Sequence, residues 1–216
     1  MSLRIQYGGS YDPVHNGHLA VADAARISLD ADVWLMPAAD PPHKPATAAS
    51  AEQRLAMLQL AIAERPGLQF DVRELRRAGP SWTIDTLREL RAELGQDVPL
   101  AILIGADSFL ALTSWRSWRA LSDYAHIVIA ERPGSPLHAH TLPAPLADFA
   151  AERWCEQPSD LHRSPAGGLY RLPLPLRAES SSALRRMIAN GDPAWRAWLP
   201  ATVAEYITQQ HLYGAV

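Results

Sequence analysis

The sequence predicts an α/β fold: a Rossmann-like parallel sheet with helices on both faces and a small C-terminal helical extension. First, short apolar runs at residues 3–7 and 32–37 flank a segment whose alanine and leucine content favours helix, which gives the order of strand, helix and strand in a parallel unit. Second, residues 100–105 are almost continuously apolar, as in a strand buried on both faces. Third, a glycine pair directly follows the first run. In such folds ligands bind at the carboxyl ends of the strands, so this pair marks the expected site.

The length of the chain favours one domain. Its 216 residues can bury a sizeable core, and 48% hydrophobic and 20% charged residues are ordinary for a globular protein. We therefore expect a single domain over residues 1–216. A core of about 1–175 would be followed by a phosphate-binding motif and helices over about 176–216.

Charge and composition exclude several classes of partner. A net charge of -3 and a pI of about 6.2 argue against a nucleic-acid-binding face, which needs many basic residues. No apolar run approaches the roughly 20 residues of a membrane span, and the chain enters its first strand with no room for a secretory signal. The one cysteine, Cys155, can form no internal disulfide. We expect a cytoplasmic protein, either a monomer or a homodimer.

The stretch from Gly8 to His18 is a strand-to-helix turn with the features of an anion site. Gly8 and Gly9 let the backbone approach a ligand, and the free amides of the following helix attract negative charge. His15 and His18 are three residues apart, so they share one side of the first helical turn. A zinc half-site is the alternative, but no other His/Cys cluster completes a tetrahedral set. The turn is interpreted as a phosphate cradle with two imidazole donors.

The order Gly-Gly-Ser-Tyr-Asp-Pro-Val-His-Asn-Gly-His resembles the signature of the HxGH nucleotidyltransferase superfamily. The rest of the chain resembles one of its families, the bacterial nicotinate mononucleotide adenylyltransferases. The resemblance implies transfer of AMP from ATP to nicotinate mononucleotide, with Mg²⁺ bound mainly through the ATP phosphates. The turn alone specifies only the superfamily, which also contains pantetheine-phosphate adenylyltransferases and cytidylyltransferases. Later motifs carry the narrower prediction.

A proline-stiffened loop over residues 40–45 leaves the second strand at the same edge. Its prolines reduce the entropy lost in holding His43 and Lys44, so the loop can present two donors, although a solvated linker is equally compatible with the sequence. The resemblance favours a place near the phosphates. Beyond it, Ser50 is expected to cap a helix. Residues 68–72 alternate as a half-buried strand, and residues 74–77 look like a solvated charge run.

Residues 81–87 open another helix, whose free amides Ser81 or Thr83 can cap. A helix start also suits a carboxylate. The resemblance places this segment beside the nicotinate ring, with Thr83 and neighbouring amides as candidates for recognising the ring carboxylate. Trp82 stands where the family usually has tyrosine, which keeps an aromatic ring and loses the phenol.

Two further groups follow the central strand. Gly105 and Asp107 lie at its carboxyl end, where an acid can accept a hydrogen bond from a ribose hydroxyl; Asp107 could equally cap the next helix. Trp115 and Trp118, three apart, are expected on one helical face, and core packing is the ordinary role of an indole. The resemblance implies that Trp115 stacks on the nicotinate ring and that Trp118 is structural.

The C-terminal motif spans residues 179–188 and reads as a serine-capped helix with Arg185 on its first turns. Hydroxyls, amides and a guanidinium at a helix start form a second anion site. It resembles the family's Ile-Ser-Ser-Thr-x-Ile-Arg motif near the β and γ phosphates, with Glu179 in place of an apolar residue and Ser182 in place of threonine.

The resemblance therefore assigns three groups of residues. Catalytic roles fall to His15, His18, Lys44 and Arg185. ATP contacts fall to Gly8, Gly9, Ser10, Gly105, Asp107 and Ser182, and mononucleotide contacts to His43, Thr83 and Trp115, with no metal ligands from the chain. Two alternatives stay open: transfer to nicotinamide mononucleotide or phosphopantetheine, and a non-catalytic nucleotide sensor on the same fold.

Overall fold

The structure, a computed structural model, describes residues 2–39, 47–131, 142–174 and 179–215. Within these residues six parallel strands form one sheet in the order β3-β2-β1-β4-β5-β6. The strands are β1 (Leu3–Gly9), β2 (Ala31–Pro37), β3 (Leu68–Phe70), β4 (Leu100–Gly105), β5 (His126–Ala130) and β6 (Leu169–Leu172). β1 pairs with both β2 and β4, so the strand order reverses there and opens a crevice at the carboxyl edge. The predicted Rossmann-like α/β fold is confirmed.

Helices cover both faces of this sheet. They are α1 (Asn16–Ser28), α2 (Ala51–Ile62), α3 (Arg73–Arg76), α4 (Thr83–Leu94), α5 (Ala106–Leu110), α6 (Leu121–Tyr124), α7 (Ala144–Ala150), α8 (Ser181–Ala189) and α9 (Ala201–Gln209). No helix of the described residues is long and apolar enough to cross a bilayer.

Two hydrophobic clusters lie on opposite faces of the sheet. Ala101 and Leu103 of β4 pack into the first cluster, with α1 and α2, whereas Leu100, Ile102 and Ile104 pack into the second, with α4 to α7. Successive side chains of a strand point to opposite faces, which explains this division. β4 is therefore buried on both faces, as its continuous apolar run predicts.

The C-terminal helices belong to the first cluster. Leu184 and Ile188 of α8, and Val203 and Ile207 of α9, are all buried in the cluster that also holds Leu3 and Ile5 of β1 and Leu19 of α1. This packing fixes α8 against the turn that follows β1.

The predicted helix caps were right at two starts and wrong at a third. The side chain of Ser50 accepts a hydrogen bond from the amide of Gln53, and that of Ser180 from the amide of Ala183. At α4, however, the N-cap residue is Trp82, and neither Ser81 nor Thr83 caps. The Ser81 hydroxyl is buried without a hydrogen-bond partner among the described residues. Among the residues that the structure describes, the N-cap side chain makes no capping hydrogen bond to the first amides of α4.

Candidate active site

The turn after β1 brings the backbone close to the aromatic ring of Tyr11. Tyr11 is fully buried at a φ of 48°, and its hydroxyl donates to the Tyr7 carbonyl at 2.6 Å. A Cβ on Gly9 would lie 3.1 Å from the Tyr11 ring, closer than most Cβ contacts. The packing of the turn therefore favours glycine at this position.

His15 and His18 cap the start of α1 reciprocally. The amide of His18 donates to Nδ1 of His15, and the amide of His15 donates to Nδ1 of His18, each at 3.3 Å. The two rings stack, with centroids 3.7 Å apart. Because both Nδ1 atoms accept, each ring carries its proton on Nε2, so both imidazoles act as Nε2–H donors. The two imidazoles lie together at the first turn of α1, as predicted, and their role as phosphate donors stays a prediction.

These donors face a cavity of about 350 Å³ at the carboxyl edge of β1 and β4. Of the residues predicted to bind or act on ATP, it brings together Gly8, Gly9, Ser10, His15, His18, Gly105 and Asp107. We call it the phosphate cavity. Its walls supply backbone amides, imidazoles and hydroxyls, which are donors that a polyphosphate accepts.

A second cavity of about 380 Å³ shares the wall formed by Gly8, Gly9 and Ser10, together with Gly105 and Asp107. Its other lining residues include Glu74, Ser81, Trp82, Thr83, Trp115 and Arg116. We call it the aromatic cavity. Since the two cavities meet along the ends of β1 and β4, two ligands can lie side by side across that wall.

Asp107 lies at the rim of both cavities. Gly105 is the N-cap residue of α5, and Asp107 falls inside the first turn with an exposed side chain. The capping alternative for Asp107 is therefore wrong, and its carboxylate is available to a ligand.

The two tryptophans do not share a helical face, contrary to the expectation from their spacing. Ser117 lies between them at a φ of 52°, in the left-handed region, and ends any continuous helix. Trp115 follows a 3-10 turn at Leu112–Ser114 and lines the aromatic cavity. Trp118 instead packs edge-on against Phe149, with ring centroids 5.1 Å apart.

The expectation of a solvated charge run at residues 74–77 is wrong for Glu74, which is buried. Its side chain is buried in α3 and lines the aromatic cavity. It accepts a hydrogen bond from the Thr86 hydroxyl at 2.9 Å, and Arg77 donates to that hydroxyl at 3.0 Å. Burial raises the pKa of Glu74, and the Thr86 bond opposes this. The available signal was the position of Glu74 just beyond β3, at the edge that carries the site.

Arg185 and Ser182 do not line either cavity in this structure. Arg185 donates to the carbonyl of Asp12 at 2.5 Å, and the Ser182 side chain is exposed. Ser181 donates to the carbonyl of Pro13 at 3.0 Å, which joins α8 to the turn. Glu179, just before α8, does line the phosphate cavity. The start of α8 is thus next to the cavity, with Arg185 turned onto Asp12.

Arg54 is a buried residue whose role has no signal in the sequence. Its guanidinium donates to the carbonyls of Ser10 and Ala38 at 2.8 Å each, and to that of Ala39 at 3.4 Å. It thereby ties the end of β1 to the chain that leaves β2. His43 and Lys44, farther along that chain, lie outside the described residues.

No group of three or more His, Cys, Asp or Glu side chains within the described residues is arranged to hold a metal ion. Carboxylates of Asp107, Glu131 and Glu179 do line the phosphate cavity. This donor set fits an ion that takes most of its ligands from a bound polyphosphate and water, as Mg²⁺ does.

Comparisons with known proteins agree with this geometry. The family model described as cytidylyltransferase-like matches residues 6–187. The chain is 55% identical to a probable nicotinate-nucleotide adenylyltransferase of Stenotrophomonas maltophilia, over 99% of this chain and 97% of that protein. It is 45% identical, over the same shares, to a probable nicotinate-nucleotide adenylyltransferase of Xylella fastidiosa.

Among solved structures, the fold is similar to that of Plasmodium falciparum nicotinic acid mononucleotide adenylyltransferase complexed with NaAD. The TM-score is 0.72 at 19% identity, covering 99% of this chain and 98% of that one. The family predicted from the motifs is thus confirmed: the chain belongs to the cytidylyltransferase-like family and, within it, to the nicotinate-nucleotide adenylyltransferases.

Proposed function

We propose that the protein transfers the adenylyl group of ATP to nicotinate mononucleotide, giving nicotinate adenine dinucleotide and pyrophosphate in NAD biosynthesis. The observation that carries the proposal is the shared wall of the two cavities, with paired histidine donors on one side and aromatic rings on the other. ATP phosphates would occupy the phosphate cavity, and the pyridine ring the aromatic cavity.

The reaction needs placement and charge stabilisation more than acid–base chemistry. The nucleophile is a phosphate oxygen of the mononucleotide, already ionised at neutral pH, so no general base is required. It attacks the α phosphorus in line, a new P–O bond forms, and the bond to the pyrophosphate oxygen breaks. Nε2–H of His15 and of His18 donates to phosphate oxygens as negative charge moves onto the pyrophosphate. The backbone of Gly8, Gly9 and Ser10 holds the α phosphate.

The triphosphate tail is assigned to Lys44, Ser182 and Arg185, as predictions from the family motifs. Because Arg185 donates to Asp12 here, direct contact with phosphate requires its guanidinium to turn into the cavity. Bound Mg²⁺ would be held by the phosphates of ATP, next to the carboxylates of Asp107 and Glu179, and would neutralise charge on the phosphate oxygens.

Recognition of the acceptor is assigned to His43, Thr83 and Trp115. The first turn of α4, which begins at Thr83, offers amides to a ring carboxylate, and the Trp115 indole offers a stacking face. Phosphopantetheine has no ring that would use the Trp82 and Trp115 side chains. The monomer or homodimer state and the cytoplasmic location are proposals from the sequence.

Comparison of two acceptors tests the function directly. With ATP and Mg²⁺, we expect kcat/KM for the acid mononucleotide to exceed that for the amide by about tenfold or more, because the α4 amides would lose the carboxylate. Pyrophosphate release coupled to a colour reaction measures both. Preference for the amide would overturn the acceptor assignment. Absence of pyrophosphate release with every mononucleotide would instead favour a nucleotide sensor.

A further inference from the structure

Asp12, in the middle of the signature turn, is a buried carboxylate with partners from three other parts of the chain. The residue is 3% exposed. One oxygen, Oδ2, accepts from the amide of Ala48 at 2.8 Å, and Oδ1 accepts from the amide of Ala49 at 3.1 Å. The Arg185 guanidinium lies 3.6 Å from Oδ2 and donates to the Asp12 carbonyl. The carboxylate therefore joins the turn to the start of α2 and to α8.

The fourth partner comes from near the end of the chain. Tyr213 lies in a 3-10 turn at Leu212–Gly214, after α9, with a φ of 58°. Its hydroxyl donates to Oδ1 of Asp12 at 2.7 Å, across 201 positions of sequence. Burial, followed by the bond to Asp12, raises the pKa of Tyr213 well above that of a free phenol. The hydroxyl is thus a permanent donor in the working pH range.

The position of this carboxylate matters because it is linked to two candidate phosphate contacts. Asp12 lies three residues before His15, in the same turn. Arg185 is its direct partner. A shift of Asp12 would move these elements relative to one another, and misplacements on the order of 1 Å cost about 10²-fold in rate.

We propose that Tyr213 is a positioning residue for adenylyl transfer, which acts through its hydrogen bond to Asp12 in the signature turn. The proposal rests on the proposed function. Tyr213 lines neither cavity, so it touches no substrate directly, and its effect should appear in turnover more than in mononucleotide binding.

Tyr213→Phe tests the proposal because it removes only the hydroxyl. We expect kcat to fall by about tenfold, with KM for nicotinate mononucleotide within about twofold of the wild-type value. Tyr206→Phe is the matched control: Tyr206 lies half-buried in α9, and its hydroxyl makes no hydrogen bond within the described part of the chain. That control should keep wild-type kcat. All assays are run below the melting midpoint of each variant.

A double-mutant cycle with Asp12→Ala, which removes the acceptor of the Tyr213 hydroxyl, separates positioning from a general loss of stability. If Tyr213 acts through Asp12, Tyr213→Phe lowers kcat much less in the Asp12→Ala background than in the wild type. A merely structural tyrosine would lower the melting temperature while kcat stayed normal, and that result would overturn the proposal. So would additive losses in the double variant. An inactive wild-type protein would instead refute the proposed function.

Discussion

The phosphate cavity and the aromatic cavity are built from opposite faces of the same sheet. The phosphate cavity takes its histidines from α1, which packs into the first hydrophobic cluster. The aromatic cavity takes Trp82 and Trp115 from segments that pack against the second cluster. β1 and β4 separate them, so each half of the cleft is supported by its own core.

The two halves are also held in different ways. The imidazoles of the phosphate cavity are fixed by hydrogen bonds, in the reciprocal cap of His15 and His18. In the aromatic cavity, Trp115 is placed by packing against apolar neighbours. Fixed donors suit a transition state, whereas an aromatic face suits binding. Substitutions in the phosphate cavity should therefore mainly lower kcat, whereas substitutions in the aromatic cavity should mainly raise KM for the mononucleotide.

The largest expected effect is that of His18→Ala. It removes one Nε2–H donor from the phosphate cavity, and loss of one such donor typically costs about 10²-fold to 10³-fold in kcat. Steady-state pyrophosphate release measures kcat, and circular dichroism checks that the variant is folded. Near-normal turnover would contradict the role of His18 and with it the distinction between the two halves.

His18→Gln controls for the cap that His18 also supplies. A glutamine at the third helical position accepts a hydrogen bond from the N-cap amide, so the start of α1 keeps its reciprocal cap. We expect this variant to melt within a few degrees of the wild type. A low kcat in both variants would then be due to loss of the imidazole and not to fraying of α1.

Trp115→Ala should give the next largest effect, on the other side of the wall. Loss of a stacking face costs about 1–3 kcal/mol, so KM for nicotinate mononucleotide should rise by about tenfold to a hundredfold. The KM for ATP should change little, because Trp115 lines only the aromatic cavity. Initial rates with each substrate varied in turn separate the two constants.

Trp118→Ala is the matched control for Trp115. Trp118 packs on Phe149 and carries the Arg119 guanidinium over its ring at 4.2 Å, away from both cavities. Its loss should lower the melting temperature and leave KM unchanged. Equal increases in KM for the two variants would show that general loosening, not stacking, is responsible.

The parts of this site that could be predicted from the sequence are those whose partners are close along the chain. His15 and His18 are three residues apart and meet in the reciprocal cap at the start of α1, and Ser180 caps a helix that begins at the next residue. The strands could be predicted because their apolar runs are continuous. In each case the interaction spans only a few residues.

The parts that could not be predicted depend on distant partners or on one backbone angle. Arg54 reads as an ordinary helix residue, because nothing in the sequence shows that its guanidinium meets the carbonyls of Ser10 and Ala38. Glu74 reads as solvated because its partner, Thr86, lies in another helix. For Trp115 and Trp118 the helical spacing was misleading, since Ser117 adopts a left-handed conformation.

His126 is a buried histidine that lines neither the phosphate cavity nor the aromatic cavity, so its titration should affect stability without affecting substrate binding. His126 begins β5, at the amino edge of the sheet, and is fully buried. Its Nε2 lies 2.9 Å from the Ser164 carbonyl, and its Nδ1 accepts from the amide of Gly168 at 2.9 Å. Both nitrogens are thus engaged by a neutral ring. Burial lowers the pKa of His126, as do the charge of Arg91 and His162, although the bond to Ser164 opposes this.

The smallest expected effect is therefore a pH dependence of stability without a change in substrate binding. The lowered pKa means that the unfolded chain binds a proton on His126 more readily than the folded protein does. Its contribution to the free energy of unfolding is complete above the unfolded pKa of about 6.5 and is lost as the pH falls through the folded pKa. Between pH 7.5 and pH 5, urea unfolding should show that His126 lowers the free energy of unfolding by at most about 1.4 kcal/mol per pH unit. This contribution should be absent in His126→Asn and retained in His211→Asn, which alters an exposed histidine. Parallel curves for wild type and His126→Asn would contradict the assignment, whereas a changed KM at pH 7.5 would show that the amino edge is coupled to the cleft.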